Sequence, residues 1–178
     1  MTEHHLETDR FLLRRPTLSD ASAIFEGYAQ DDAVVQYLVW RKHQNIAATR
    51  QFMAYCVEQW DSGESQPFVI AARATGLAVG MIDLRRASHR VTLGYVLARD
   101  YWGKGCMTEV CSAVMQHLLS DPATSRIEGV CDVDNVGSAR VMEKIGMKRE
   151  GLLRAYITHP NVSSMPRDAY LYSRVRSD

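Results

Sequence analysis

The sequence predicts a single α+β domain with a mixed sheet. Runs with the alternating or continuous apolar pattern of strands are interspersed with segments whose apolar residues recur at helical spacing. Their order is ββ(αα)βββαβαββ, and no repeat, low-complexity tract or linker interrupts it. A chain of 178 residues fits one domain. We therefore expect one domain over residues 1–178, with residues 1–7 as a flexible leader.

The first strand and the two helices after it are marked by spacing and by end signals. Residues 10–17 (RFLLRRPT) predict an edge strand that stops at Pro16, with Arg14 and Arg15 unpaired at its solvent end. Apolar side chains at helical spacing predict a first helix within residues 18–30. A second helix is expected over residues 46–60, where an apolar stripe follows a suitable N-cap residue, Asn45.

Three strand-like runs and a long helix occupy the middle of the chain. Short turn segments, ATG and ASH, divide the runs and predict an antiparallel meander over residues 67–73, 78–86 and 90–98. The helix that follows has the clearest apolar stripe in the sequence, formed by Met107, Val110, Cys111, Val114, Met115 and Leu118.

The C-terminal part predicts a strand, a short helix and a final pair of strands. The strand is expected at residues 125–133, and the helix at residues 135–146. Asn135 is a suitable N-cap for this helix, and Gly146 suits the position after its last turn. The last two strands and the loop between them are expected at residues 148–157, 168–176 and 158–166, respectively.

Composition excludes several classes of protein. The 21 Lys and Arg residues balance 21 Asp and Glu residues, which argues against a dedicated nucleic-acid or anionic-membrane binder. No apolar run approaches the roughly 20 residues of a membrane span or the core of a signal peptide, so we expect a cytoplasmic protein. The four cysteines show neither C-x-x-C pairing nor zinc-ligand spacing, and we expect reduced thiols and no metal site.

A glycine-rich turn joins the last meander strand to the long helix. Gly103-Lys104-Gly105 places unpaired backbone N–H groups at the positive end of the helix dipole, with no Cβ to block close approach. Such a turn can bind an anion, usually phosphate. Neither G-x-x-x-x-G-K-[ST] nor G-x-G-x-x-G is present, so a diphosphate within a larger molecule suits it better than a nucleoside triphosphate. A tight turn without a ligand explains the glycines equally well.

The motifs around this turn carry a family resemblance. GYVLARDYWGKGCMTEV and CDVDNVGSARVMEKIGMKREGLLR resemble the GNAT superfamily of acetyl-CoA-dependent N-acetyltransferases, in its ribosomal-protein N-terminal acetyltransferase-like (RimJ/RimL-type) branch. LETDRFLLRRPTLSDA resembles the opening strand and helix of that branch, so the resemblance covers nearly the whole chain. It implies a central mixed, mostly antiparallel sheet flanked by helices, and a loop that grips the pyrophosphate of coenzyme A.

The resemblance also implies which residues bind coenzyme A. In the family the strand before the loop splays from its neighbour and offers backbone groups to the pantetheine arm, while the loop binds through main-chain amides. A small residue of the family pattern is replaced by Met107, which is compatible if its side chain points into the core. The expected cofactor-binding residues are Val96, Leu97, Trp102, Gly103, Lys104, Gly105, Cys106, Met107, Thr108 and Asn135.

Acyl transfer to an amine also needs a proton for the departing thiolate. Many superfamily members supply it from a tyrosine four residues before the helix-ending glycine, but Met142 occupies that position here. The N-x-x-S motif of this branch assigns the role to Ser138 and a cofactor contact to Asn135, and we take these two residues as the candidate catalytic pair. Both residue types are also common at a helix start, which gives a purely structural alternative.

The acceptor side is less defined. The strand glutamate of many relatives is replaced by Thr92, which leaves four candidate bases: His43, Asp132, Asp134 and His159. The family's acceptor groove implies one wall formed by Trp40, Arg41 and His43, and another formed by the loop at residues 158–168. Basic side chains there, Arg41, Lys42 and Arg167, could attract an acidic acceptor.

The favoured function is acetyl transfer from acetyl-CoA to a primary amine, and a peptide or protein N-terminus is the favoured acceptor. A site without an obvious base suits an α-amine because its pKa is lower than that of a lysine side chain. Two alternatives stay open: a non-catalytic acyl-CoA-binding module, and an acetyltransferase of a small amine such as a polyamine or an aminoglycoside. The resemblance also implies a possible homodimer and requires no metal.

Overall fold

The computed structural model describes residues 5–178 and contains one eight-stranded sheet with helices on both faces. None of its helices combines the length and the apolar character needed to cross a bilayer. The strands are β1 (His5–Glu7), β2 (Phe11–Arg14), β3 (Gln66–Ala72), β4 (Ala78–Ala87), β5 (Arg90–Leu97), β6 (Arg126–Asp132), β7 (Lys148–Ile157) and β8 (Arg167–Val175). The helices are α1 (Ala21–Ile24), α2 (Asp32–Val35), α3 (Ile46–Ser62), α4 (Cys106–Ser120) and α5 (Val136–Lys144).

The strand order is β1-β2-β3-β4-β5-β6-β8-β7, and the β5–β6 pair is parallel while the other pairs are antiparallel. This confirms the predicted mixed, mostly antiparallel sheet and the meander of β3, β4 and β5. The predicted caps are present as well. The side chain of Asn45 accepts a hydrogen bond from the Ala48 backbone at the start of α3, and Gly146 follows α5 with a φ of +82°.

The sheet separates two hydrophobic cores. On one face α4 and α5 pack against alternate strand residues, with Ile82, Met115 and Tyr172 fully buried. On the other face α1 and α3 cover the sheet around Tyr28 and Met53. Because neighbouring residues of a strand face opposite sides, β5 contributes to both cores and is held rigidly between the two helical layers.

The N-terminal region differs from the prediction in two ways. First, β2 is an interior strand, because His5–Glu7 form β1 and pair with it; residues 1–4 of the expected leader lie outside the described residues. In the turn of this hairpin, the side-chain hydroxyl of Thr8 accepts a hydrogen bond from the Phe11 backbone N–H at 3.0 Å. Second, the two arginines at the end of β2, which we expected to be unpaired, form ion pairs, Arg14 with Asp20 and Arg15 with Asp61.

The first helix also departs from regular geometry. A 3-10 turn at Leu18–Asp20 precedes α1, and a π-helical segment at Phe25–Ala29 continues it. The spacing of apolar residues cannot distinguish 3-10, α and π helix here. Over so short a length, the same residues form one apolar face in all three. Gln30 is the C-cap of the π-helical segment. Asp31 then caps α2, because its side chain accepts a hydrogen bond from the Ala33 backbone N–H.

Candidate active site

A gap opens between β5 and β6. The described pairing of these parallel strands runs from Arg90 with Arg126 to Thr92 with Glu128 and ends there. Their carboxyl ends lie at the same edge of the sheet, and each leads into the N-terminus of a helix, α4 and α5 respectively. Gly129 lies at the fork, where a Cβ would come within 3.2 Å of the Met142 sulfur. The geometry is that of a ligand site at strand ends.

The β4–β5 ladder determines which backbone groups face the gap. The Ala98 N–H donates to the Val79 carbonyl on β4 at 2.8 Å, and antiparallel bonding alternates along the strand. Val96 therefore directs its N–H and C=O groups to β4, whereas Tyr95 and Leu97 direct theirs towards the gap. Of the two expected strand contacts, Leu97 presents its backbone to the gap, and its carbonyl accepts a 2.8 Å hydrogen bond from the Trp102 indole.

The glycine-rich turn forms an open surface at the start of α4. Gly103 and Gly105 both have φ of +70°, and no heavy atom lies within 4 Å of where a Gly103 Cβ would be. Gly105 is the N-cap, and its carbonyl accepts the first helical bond from the Glu109 backbone at 3.0 Å. The amides of residues 106–108 consequently have no partner within the helix. These features fit an anionic ligand bound through main-chain amides.

The side chains of this turn divide between surface and core. Trp102 and Lys104 are exposed, and Thr108 is half-buried. Cys106 and Met107 are buried in the core shared with α5, so Met107 points inward as its helical spacing predicts. Neither buried side chain obstructs the open face of the turn.

At the start of α5, Asn135 and Ser138 have both structural and chemical partners. The Asn135 side chain accepts from the Ser138 backbone N–H at 3.1 Å, which caps the helix. The Ser138 hydroxyl lies 2.8 Å from the Tyr95 hydroxyl, which also lies 3.1 Å from the Ser138 carbonyl. The cap uses only the backbone of Ser138, so its hydroxyl is available for another role. Met142 is fully buried and takes no part at the surface.

Tyr95 is the residue that sequence reasoning missed. It lies on β5 with its side chain on the α4–α5 face, and its hydroxyl reaches Ser138 across the gap. Burial raises the pKa of Tyr95 well above its ordinary value, despite the opposing hydrogen bond to Ser138, so the phenol remains protonated. The sequence contained one signal for Tyr95. A side chain with a polar tip lies two residues from the apolar Leu93 and two from the apolar Leu97, on the same face of the strand.

The candidate bases at the end of β6 are held in an ion-pair network. Asp132 is 1% exposed and accepts two hydrogen bonds from Arg167, at 2.6 and 3.0 Å. Burial opposes the ionised form of Asp132, but these bonds lower its pKa below the ordinary value. Asp134 is exposed, yet it too accepts from Arg167, at 2.7 Å. Both carboxylates are therefore engaged.

The two candidate histidines are buried. Nδ1 of His43 lies 2.8 Å from the Thr49 hydroxyl, and its ring packs against Trp40 with centroids 4.7 Å apart. His159 is 2% exposed, with Nε2 3.6 Å from the Asp132 carboxylate. Among the described residues, no group of three His, Cys, Asp or Glu side chains is placed to hold a metal ion.

These histidines predict acid lability. Burial lowers the pKa of His43, and it lowers that of His159 against the opposing attraction of Asp132, so both fall below the ordinary value of 6.5. Below about pH 6.5 the unfolded chain therefore binds more protons than the folded chain, and stability decreases as the pH falls. The melting temperature should be lower at pH 5.5 than at 7.5, and the His43→Gln/His159→Gln double variant should show a smaller difference. The exposed His89→Gln is the matched control; an unchanged difference in the double variant would contradict this explanation.

The two expected walls of the acceptor groove are in direct contact. Asn161, in the β7–β8 loop, donates to the carbonyls of Val35 and Trp40, both at 2.8 Å, and accepts from the Lys42 backbone at 3.0 Å. The Arg41 guanidinium also donates to the Pro160 carbonyl at 3.4 Å. The β7–β8 loop and the segment after α2 thus form one joined wall.

Two basic side chains near this wall have carboxylate partners. The Lys42 ammonium forms a 2.6 Å ion pair with Asp32, and Arg167 is bound by the two carboxylates at the end of β6. Two of the three basic side chains expected to attract an acidic acceptor are therefore already paired with carboxylates. The acidic acceptor stays a prediction.

Comparison with known proteins assigns the chain to a family. The model of the acetyltransferase (GNAT) domain matches residues 10–148. YoaA of Bacillus subtilis (strain 168), described as an uncharacterized N-acetyltransferase, is 30% identical over 174 residues, covering 96% of each chain. A solved GNAT-family acetyltransferase from Bacillus anthracis superimposes with a TM-score of 0.85 at 26% identity, covering 98% of this chain and 99% of that one.

The ribosomal-protein branch is represented among the structural neighbours. RimL, a ribosomal L7/L12 α-N-protein acetyltransferase solved in complex with coenzyme A, superimposes with a TM-score of 0.82 over 98% of this chain and 99% of its own. Its identity is 20%, so this likeness concerns the fold. With the domain match, the motifs and the splayed strands in agreement, the chain belongs to the GNAT superfamily of acetyl-CoA-dependent N-acetyltransferases.

Proposed function

We propose that this N-acetyltransferase transfers the acetyl group of acetyl-CoA to α-amines at the N-termini of peptides or proteins. The main support for the proposal is that each of the four candidate bases is either buried or bound in an ion pair. Both carboxylates at the end of β6 are bound by Arg167, and both candidate histidines are buried. A site of this kind is best suited to an amine that is partly neutral before it binds.

The ordinary pKa values of amines indicate which acceptor suits such a site. A lysine ammonium with a pKa of about 10.4 is neutral in only about one molecule in a thousand near pH 7.4. An α-amine with a pKa of about 7.8 is neutral in roughly a quarter of the molecules. The remaining protons can leave through water, so no protein base is required.

On the donor side, the turn and β5 supply the binding groups. The amides of residues 103–108 would hold the diphosphate of coenzyme A, and the gap-facing backbone of Leu97 would hold the pantetheine arm. The backbone of Tyr95 faces the same gap, where an N–H group can polarise the thioester carbonyl. Bound acetyl-CoA supplies the activated acetyl group.

Ser138 is the proposed proton donor to the departing thiolate. Ser138 lies in the first turn of α5, and its hydroxyl is 2.8 Å from the Tyr95 hydroxyl. Because burial keeps Tyr95 protonated, its hydroxyl can hydrogen-bond the Ser138 oxygen while the serine gives its proton to the thiolate. The proton that the acceptor amine loses can then restore the Ser138 hydroxyl through water, so Tyr95 stays neutral throughout. Met142, in the position of the usual tyrosine, cannot take part in such a hydrogen bond.

Two matched peptides test the acceptor. Each contains one lysine, and one has a free N-terminus while the other has a blocked N-terminus. We expect the free peptide to be acetylated faster, and its kcat/KM to rise with pH and level off near the pKa of its own α-amine. Faster acetylation of the blocked peptide, or a stronger reaction with a polyamine or an aminoglycoside, would overturn the proposed acceptor and indicate an additional base.

A further inference from the structure

An arginine from the N-terminal hairpin holds the glycine-rich turn from behind. Arg10 lies in the β1–β2 turn, and its Nη1 donates to the Lys104 carbonyl at 3.0 Å. Its Nε and its backbone N–H donate to the two carboxylate oxygens of Glu109 at 2.6 and 2.9 Å. Three hydrogen bonds thus connect the hairpin both to the turn and to the first turn of α4.

The contact with Lys104 fixes the orientation of one peptide group. In a planar trans peptide the carbonyl and the following N–H point in opposite directions. Since the Lys104 carbonyl points to Arg10, the Gly105 N–H points away from it, towards the open face of the turn. Glycines on both sides of Lys104 have φ of +70°, and glycine allows other orientations at little cost. A turn of this composition therefore gains order from an external contact.

The charge of Glu109 opposes binding of a diphosphate, and Arg10 counteracts it. The helix dipole stabilises a carboxylate in the first turn of α4, but that carboxylate repels a diphosphate bound at the same end of the helix. Burial acts to raise the pKa of Glu109, whereas hydrogen bonds from Thr8 and from Arg10 lower it below the ordinary value, so the carboxylate is ionised. The Arg10 guanidinium neutralises that charge on the side of the turn away from the open face.

We propose that Arg10 is a positioning residue for the diphosphate of coenzyme A, acting through the Lys104 carbonyl and through Glu109. The inference rests on the part of the proposed function that assigns the turn to the diphosphate, and it is independent of the acceptor. Arg10 holds the Gly105 N–H towards the ligand and shields the ligand from the Glu109 carboxylate. It makes no contact with the reacting thioester in this role.

Binding of coenzyme A to Arg10→Ala, measured by calorimetry, tests the inference without turnover. We expect Kd to rise about tenfold, because the variant loses both the contact that orients the Gly105 N–H and the charge that offsets Glu109. The loss should be the same for 3′-dephospho-coenzyme A, which keeps the diphosphate. Arg15→Ala, which removes another partly exposed arginine ion pair of the same region, is the matched control and should bind normally.

Kinetics separate positioning from general destabilisation. We expect Arg10→Ala to raise KM for acetyl-CoA with kcat little changed. S-acetylpantetheine has no diphosphate, so the variant should lose kcat/KM with acetyl-CoA and keep most of it with S-acetylpantetheine. Arg10→Lys provides a second variant with milder effects on folding, and it should also weaken binding because it lacks the planar fork. An unchanged Kd for coenzyme A, or an equal loss with S-acetylpantetheine, would overturn the inference. A wild type that binds coenzyme A but acetylates no amine would contradict the proposed function alone.

Discussion

Replacing Gly105 with glutamate should abolish the rise in melting temperature that coenzyme A or acetyl-CoA gives the wild-type protein. At about 100 times Kd, a ligand stabilises the folded state by about 2.7 kcal/mol, so the wild-type rise is readily measured. The variant loses it for two reasons. A non-glycine residue strains the backbone at a φ of +70°. The new side chain would also start 3.9 Å from the Arg10 guanidinium, where its carboxylate competes with Glu109 for Arg10 and adds negative charge at the helix end proposed for the diphosphate.

Gly76→Glu separates these two effects. Gly76 lies in the turn between β3 and β4, has φ of +72° and has no heavy atom within 4 Å of the position of a Cβ. Its glutamate variant carries the same kind of backbone strain away from the site, so it should melt earlier and still be stabilised by coenzyme A. An undiminished rise in Gly105→Glu would show that the turn does not bind the diphosphate and would favour the simple tight turn.

Ser138→Ala should lower kcat on the order of 100-fold or more, while acetyl-CoA binds nearly as tightly as to the wild type. A proton donor to the leaving thiolate acts in the transition state and contributes little to ground-state binding. The cap of α5 should survive, because Asn135 accepts from the Ser138 backbone and not from its hydroxyl. We therefore expect little loss of thermal stability.

Two further variants sharpen this prediction. Tyr95→Phe removes the neighbouring hydroxyl but keeps Ser138, so it should lower kcat by less than Ser138→Ala. Asn135→Ala removes the cap and should cost about 1 kcal/mol of stability. Equal rates in Ser138→Ala and the wild type would contradict the acid role. A large drop in the melting temperature of Ser138→Ala would favour the explanation that the serine serves only the helix start.

Local sequence signals predicted the parts of the site that depend on near neighbours. The stripe of α4, the caps at Asn45 and Asn135 and the two glycines of the turn are each determined within a few residues. Motif resemblance also proposes the donor site and the role of Ser138, because these motifs are continuous along the chain; both stay predictions. These features could be placed before any contact across the sheet was known.

Contacts between distant segments could not be predicted in this way. Arg10 lies 94 residues before Lys104 in the sequence, and Tyr95 lies 43 residues before Ser138. The sequence predicts β2 as an edge strand because the short β1 has too few residues to show a period. Asp132 resembled a candidate base, but its burial and its bonds to Arg167 depend on tertiary packing.

The product of the transfer reaction can be identified on a peptide with a free N-terminus. The protein is incubated with acetyl-CoA and the peptide with a free N-terminus, and the product is sequenced by mass spectrometry while the release of free thiol is followed. We predict one acetyl group on the α-amine for each thiol released. Tight binding of coenzyme A without acetylation of this peptide, of its lysine or of any amine in a broad panel would contradict the assignment of this chain as an N-acetyltransferase.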